Sequence, residues 1–264
     1  MLRFWPVYKR ELKTYLQSPS TYVVLALLFL VMGFIFQEMM YSFHLMSERA
    51  GRMGMFGQPQ QAPNATLELV RPTFHIMTSL IMFAVPLLSM RLLAEEKSRG
   101  TFELLVTCPI SDWAILIGKY LALVSVGLIM VIISALYPAL IWWAGRANAS
   151  APEWPIVISC WIGLILIFGA YGAFGLMASS MTDNQITAGI VTLIGVILWN
   201  VIGSFQIDRY PWLREVLTEL SAGEHTDNFI KGVLVLEDFA FYILAAFLFL
   251  FIASKTLDAR RWRV

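Results

Sequence analysis

Six long apolar runs divide the chain at residues 22–40, 74–93, 115–143, 155–181, 186–205 and 239–254. Polar and charged residues concentrate between these runs and at the two ends. Each run approaches or exceeds the ~17–25 residues that a helix needs to cross a bilayer, so six transmembrane helices are predicted. The third and fourth are long enough to tilt or protrude. Pro86 and Pro138 fall inside the second and third runs, where each removes a helical N–H and predicts a bend. Ahead of the first run, Trp5, Tyr8, Leu12, Tyr15 and Leu16 share one face at helical spacing, with Lys9, Arg10 and Lys13 on another. This predicts an interfacial helix over residues 1–20, ended by Ser18-Pro19. Between runs one and two, residues 41–73 carry Gly51, Gly54, Gly57, Pro59, Pro63 and Pro72 and are expected to form an irregular loop. Residues 206–238 are expected to form half-helices over the same end, with Phe229 to Leu234 as a short amphipathic patch.

Composition fixes the solvent. Of 264 residues 58% are hydrophobic and 14% charged, against about 25% charged in soluble domains, and the mean hydropathy is +0.70. The chain reads as an all-α integral membrane protein, one transmembrane domain over residues 1–264. No cleavable leader is expected.

The distribution of charge says more than the formal net charge of +1. Arg3, Lys9, Arg10 and Lys13 precede the first run. Arg91, Lys97, Arg99 and Lys119 surround the second–third connection, and Lys255, Arg260, Arg261 and Arg263 follow the last run. The other side has Arg49, Arg52, Arg71, Arg146, Arg209, Arg214 and Lys231, spread over longer loops with acids. The positive-inside rule therefore predicts both termini and the second–third hairpin in the cytoplasm of a multi-pass inner-membrane protein. The span interiors are read as free of Asp, Glu, Lys and Arg. That lowers the expectation of a proton-coupled carrier or an intramembrane hydrolase.

The hairpin, residues 94–112, carries the most information. Glu95-Glu96-Lys97-Ser98-Arg99 is expected to prolong the second helix into water, and Gly100 to turn the chain. A helix of about two turns should follow over residues 101–107, closed by Cys108-Pro109, with Ser111 or Asp112 capping the next helix. Apolar anchors Phe102, Leu105 and Val106 beside Glu95, Glu96, Arg99 and Glu103 suit insertion into a groove on a soluble partner.

Other chemistries are poorly supported. Gly118-Lys119 ends like a phosphate-binding loop, but Tyr120 stands where Ser or Thr belongs and Trp113 where the first glycine belongs. Cys108 and Cys160 form no paired motif. His44 and His75 with Met39, Met40, Met46, Met53 and Met55 offer soft donors suited to copper. They share no ligand spacing, so no metal site is assigned.

The pattern Glu95-Glu96-Lys97-x-x-Gly100-Thr101-x-Glu103-x-Leu105-x-x-x-Pro109, followed by Gly118-Lys119-Tyr120, resembles the coupling-helix region of ABC-2 type transporter permeases. Lys9-Arg10-Glu11-Leu12 resembles that family's elbow helix. His225 to Asp238, with Arg260-Arg261-Trp262, resembles the gliding-motility-associated permeases and their copper-maturation relatives. The resemblance implies a non-enzymatic permease subunit of an ATP-driven exporter. Glu95, Glu96, Arg99, Gly100, Thr101, Phe102, Glu103 and Leu105 would contact a separate ABC ATP-binding subunit that holds the ATP and magnesium. It also implies a pairing of two permease chains, identical or paralogous, in contact with membrane lipid, with room for a periplasmic or membrane auxiliary subunit and no role for nucleic acid. The alternative is an ATP-driven anchor or force-transmitting component of an envelope machinery.

The fourth run is rich in small residues. Gly169 and Ala173, then Gly175 and Ser179, lie four apart, a spacing that lets helices approach closely in lipid. Packing within the subunit and pairing between subunits both fit that face.

Overall fold

The computed structural model describes residues 4–55, 64–100, 111–145, 152–205 and 210–261, and every regular element among them is helical. The helices are α1 (Phe4–Gln17), α2 (Pro19–Met55), α3 (Arg71–Ser89), α4 (Ala94–Ser98), α5 (Asp112–Ser134), α6 (Leu136–Gly145), α7 (Trp154–Met181), α8 (Gln185–Val201), α9 (Pro211–Glu219), α10 (Ala222–Lys231) and α11 (Leu236–Arg261). Six helical stretches are long and apolar enough to cross a membrane: Pro19–Met53, Thr66–Ser98, Asp112–Ala144, Trp154–Met181, Gln185–Ser204 and Leu236–Ala259.

Proline sets several boundaries. α1 ends where Pro19 starts α2, because the residue before a proline is pushed out of the helical region. The third span breaks at Ala135, between α5 and α6; Pro138 has no N–H to offer the Ser134 carbonyl, and α5 stops at Ser134. Pro86 lies inside α3, which ends three residues later at Ser89.

The loop expected over residues 41–73 is largely helical instead. α2 runs 37 residues to Met55, and a π-helical turn, Thr66–Val70, leads directly into α3. Residues 41–50 contain no Pro or Gly and include strong helix formers such as Leu45, Met46, Glu48 and Ala50. The apolar run ends near residue 40, but leaving the hydrocarbon does not require a helix to stop. Gly51 and Gly54 enter only the last turns, and Pro72 lies in the first turn of α3, just after the π-helical turn.

α7 is the hub, packed by α11, α3, α5, α8 and α10. Its glycines make that possible. A methyl group at Gly172 would stand 2.8 Å from Leu123 Cδ2 and one at Gly163 2.7 Å from Phe229 Cβ. α2, α8 and α11 line the periphery, with Leu30, Phe34, Ile194, Leu198, Leu244 and Phe247 among their exposed apolar side chains.

At the end of the bundle remote from the hairpin, α9 and α10 form two short helices. α10 closes in a Schellman motif: Gly232 has φ +84°, its N–H donates to Phe229 O at 3.1 Å, and Val233 N–H donates to Asn228 O at 2.9 Å. This turn divides the expected amphipathic patch. Phe229 and Ile230 are buried in the bundle, whereas Val233 and Leu234 point outward.

Candidate functional site

The hairpin base is tied to its surroundings by a buried ion cluster. Lys119, in the second turn of α5, is 1% exposed. Its Nζ lies 2.9 Å from Glu11 Oε1 on α1 and 3.0 Å from Glu96 Oε1 on α4. An ammonium buried in an apolar bundle costs several kcal/mol unless it is paired, and here two carboxylates from two other elements pair it. The expectation that span interiors lack charge therefore fails at Lys119, and it fails also at Glu38, which lies inside the first apolar run. Glu96 likewise turns inward to this ammonium instead of prolonging a solvated helix.

The Gly118-Lys119-Tyr120 triplet builds the junction residue by residue. A methyl group at Gly118 would stand 2.9 Å from Val7 Cβ, so the missing side chain lets α1 lie close enough for Glu11 to reach Lys119. Tyr120 projects to α7, its hydroxyl 3.0 Å from where a methyl group on Gly169 would be. α1 is fixed at two further points. Tyr8 and Ser125 share a hydroxyl hydrogen bond of 3.0 Å, and the Tyr15 hydroxyl donates to Leu88 O at 2.9 Å. The second bond satisfies a carbonyl in the last turn of α3. Burial, reinforced by the Glu11 carboxylate, pushes the Tyr15 phenol above its usual range, so it remains a donor. The Arg91 guanidinium donates to Ser20 Oγ at 2.6 Å and Ser18 Oγ at 3.1 Å, binding the α1–α2 corner to the turn after α3.

That turn is completed by α7. Ser179 Oγ accepts from Leu93 N–H at 3.0 Å and Ala94 N–H at 2.9 Å, and donates to Met90 O at 3.3 Å. Lys97 Nζ donates to the carbonyl of Ser180 and, at 3.4 Å, to that of Thr182. A cation at the C-terminal carbonyls of a long helix is favoured both by hydrogen bonding and by the helix dipole.

Among the other residues singled out from the sequence, Glu95 accepts from Arg99 at 2.6 Å along α4. Gly100 adopts φ +69°, and Ser111 caps α5 by accepting from Ala114 N–H. Thr101, Phe102, Glu103 and Leu105 lie outside the described residues, as do Val106 and the helix expected over residues 101–107. Gly169, Ala173, Gly175 and Ser179 are brought together on α7 and face elements of the same chain: Tyr120 stands over Gly169, and Ser89 over Gly175. His44 and His75 do not converge; each lies 3.8 Å from a carboxylate, Glu48 and Asp227 respectively.

A second polar cluster, also unforeseen, lies at the opposite end. Asp238, 2% exposed at the start of α11, sits 2.5 Å from His225 Nδ1 and accepts from Asn228 Nδ2 at 3.1 Å. His225 Nε2 lies 3.0 Å from Glu219 O. The last residue of α9, the middle of α10 and the first turn of α11 are thus one unit.

Both clusters had faint signals. Lys119 sits four residues inside an apolar run, and Glu11 is the lone acid among the bases of the N-terminal helix. Their partnership depends on a separation of 108 residues, which no local pattern encodes.

No curated protein matches the chain. Residues 5–210 match the family described as ABC-2 family transporter protein. That match spans the N-terminal helix, the hairpin and the first five spans, so the chain is a multi-pass membrane protein belonging to the ABC-2 transporter family.

Proposed function

We propose that this chain is the permease subunit of an ATP-driven exporter in a bacterial inner membrane, with both termini and the hairpin cytoplasmic. A separate ATP-binding subunit would dock on residues 95–105 and hold the ATP and magnesium, while this chain performs no catalysis itself. A second permease, identical or paralogous, would complete the pathway. The observation that carries this reading is the Lys119 cluster. A load placed on the hairpin reaches Glu96 and, through one buried ammonium, both the start of the third span and Glu11 on α1. A solvated connector has no use for such a joint. Lys97 and Ser179 carry the same load into α7.

The test is coupling in the purified complex. Charge reversal at Glu103 (E103K) or a β-branched residue at Gly100 (G100V) should leave the spans folded while ATP hydrolysis loses its dependence on the permease. At Gly100 the positive φ alone costs a β-branched residue about 1–2 kcal/mol. Unchanged stimulation in both variants would contradict docking at this hairpin.

A second reading keeps the ATPase docking but has the chain move an envelope partner, as the likeness of residues 225–238 to gliding-motility-associated permeases suggests. The bonded cap of Glu219, His225, Asn228 and Asp238 supports it, because force can leave a membrane protein only through a rigid outer surface. Vesicles holding the complex alone distinguish the two, since an exporter moves cargo without an envelope partner.

A further inference from the structure

A cavity of about 840 Å³ opens beside α2 at the end of the bundle away from the hairpin, between α2, the π-helical turn and α6. Its floor is apolar: Phe36, Leu69 and Ile141 are 6%, 1% and 2% exposed. Its mouth carries the exposed aromatics Tyr41 and Trp143. Glu38 also lines it. Among the described residues Glu38 pairs with no cation, and no Lys or Arg lines the cavity. Along α2, Glu38 stands roughly 28 Å from Pro19 at about 1.5 Å per residue, near the far boundary of a hydrocarbon core about 30 Å thick. At that boundary the cost of a charged side chain falls away, so the Glu38 carboxylate is accessible to an incoming cationic head.

We propose that this cavity is a binding site for an amphiphilic cation, a single ammonium carried on a hydrocarbon chain. The chain would occupy the Phe36–Leu69–Ile141 floor. The ammonium would take Glu38 as counter-ion and the Tyr41 and Trp143 rings as cation–π partners. Among the described lining residues only His44 could carry a positive charge, and it already lies 3.8 Å from Glu48, so an anionic or phosphate-bearing head is disfavoured by Glu38. This site is independent of the hairpin and of ATP, so its occupancy is measured on the full chain without the ATP-binding subunit.

The probe is radiolabelled hexadecyltrimethylammonium, titrated against the chain in nanodiscs of uncharged galactolipid, with hexadecyl maltoside and hexadecyl sulfate as competitors. The expected result is saturable binding of one probe per chain, weakened about fivefold or more by E38Q and retained by E38D. E38Q should leave competition by the neutral maltoside unchanged, whereas L140W, which fills the cavity wall, should abolish binding of both. Equal affinity in E38Q would overturn the assignment. So would competition by the sulfate as strong as by the maltoside, or displacement by a minor proportion of phosphatidylethanolamine. Because Glu38 is exposed, E38Q is not expected to perturb folding, and an unchanged unfolding midpoint confirms that the loss is local.

Discussion

Lys119 Nζ lies 3.0 Å from Glu96 Oε1, joining the first buried turns of the third span to the short helix at the base of the charged hairpin. With Glu11 at 2.9 Å on the other side, one buried ammonium is shared by carboxylates from two other elements. K119M should therefore destabilise the protein by about 3–5 kcal/mol, because it leaves two partly buried carboxylates facing each other. E96Q should cost less, about 1–3 kcal/mol, since Glu11 still neutralises the ammonium. Reversible unfolding in mixed micelles reads both. A K119M cost no larger than that of E96Q would contradict the pairing.

Tyr15 predicts an alkaline dependence. Burial raises its phenol above the ordinary value of 10.0, so the folded protein holds this proton where the unfolded chain releases it. The stability from Tyr15 is full below pH 10 and is lost as pH climbs beyond it. Y15F removes the bond to the Leu88 carbonyl and should cost about 0.5–1.5 kcal/mol at neutral pH. The difference from the parent should shrink above pH 10. A difference that grows there would refute the assignment.

Ser179 serves two backbone donors at once. S179A strands the N–H groups of Leu93 and Ala94 in a buried turn and should cost about 1–3 kcal/mol. Amide exchange should accelerate at Leu93 and Ala94 before it does so in the middle of α7. Uniform acceleration along both helices would mean that the residue acts by packing alone.

Gly172 tests the hub. G172V places its side chain on Leu123 and should destabilise by about 1–3 kcal/mol through overpacking. The companion change L123A, which opens space at the same contact, should recover part of that loss. A double variant no more stable than the sum of the two losses would place the strain elsewhere.

The parts of this fold that sequence discloses are those governed by local chemistry. Apolar run length marked the six spans, Pro19 and Pro138 marked breaks, and Ser111, offered with Asp112 as a cap, is the one that starts α5. The helical continuation of α2 to Met55 was hidden because apolarity and helicity end at different places. Lys119 was hidden for a related reason. A lysine near the end of an apolar run reads as a flank, and only the closeness of Val7 to Gly118 reveals that α1 covers it. The Asp238 cluster joins three elements through a carbonyl, a ring and an amide, none of which is distinctive as a residue type. Ser179 looked like one small residue in a packing stripe, but its hydroxyl is what completes the turn after α3.

The central claim, that the hairpin hands its motion to α1 and the third span through Lys119, is tested most directly by spin-label distances in a complex with the proposed ATP-binding subunit. Pairs at Ser98 and Lys255, and at Lys13 and Lys255, report the hairpin base and α1 against the last span. With a trapped ATP analogue both distances should change in the parent protein. In K119M the Ser98 distance should still change while the Lys13 distance stays at its resting value. An unaltered shift at Lys13 in K119M would contradict the account.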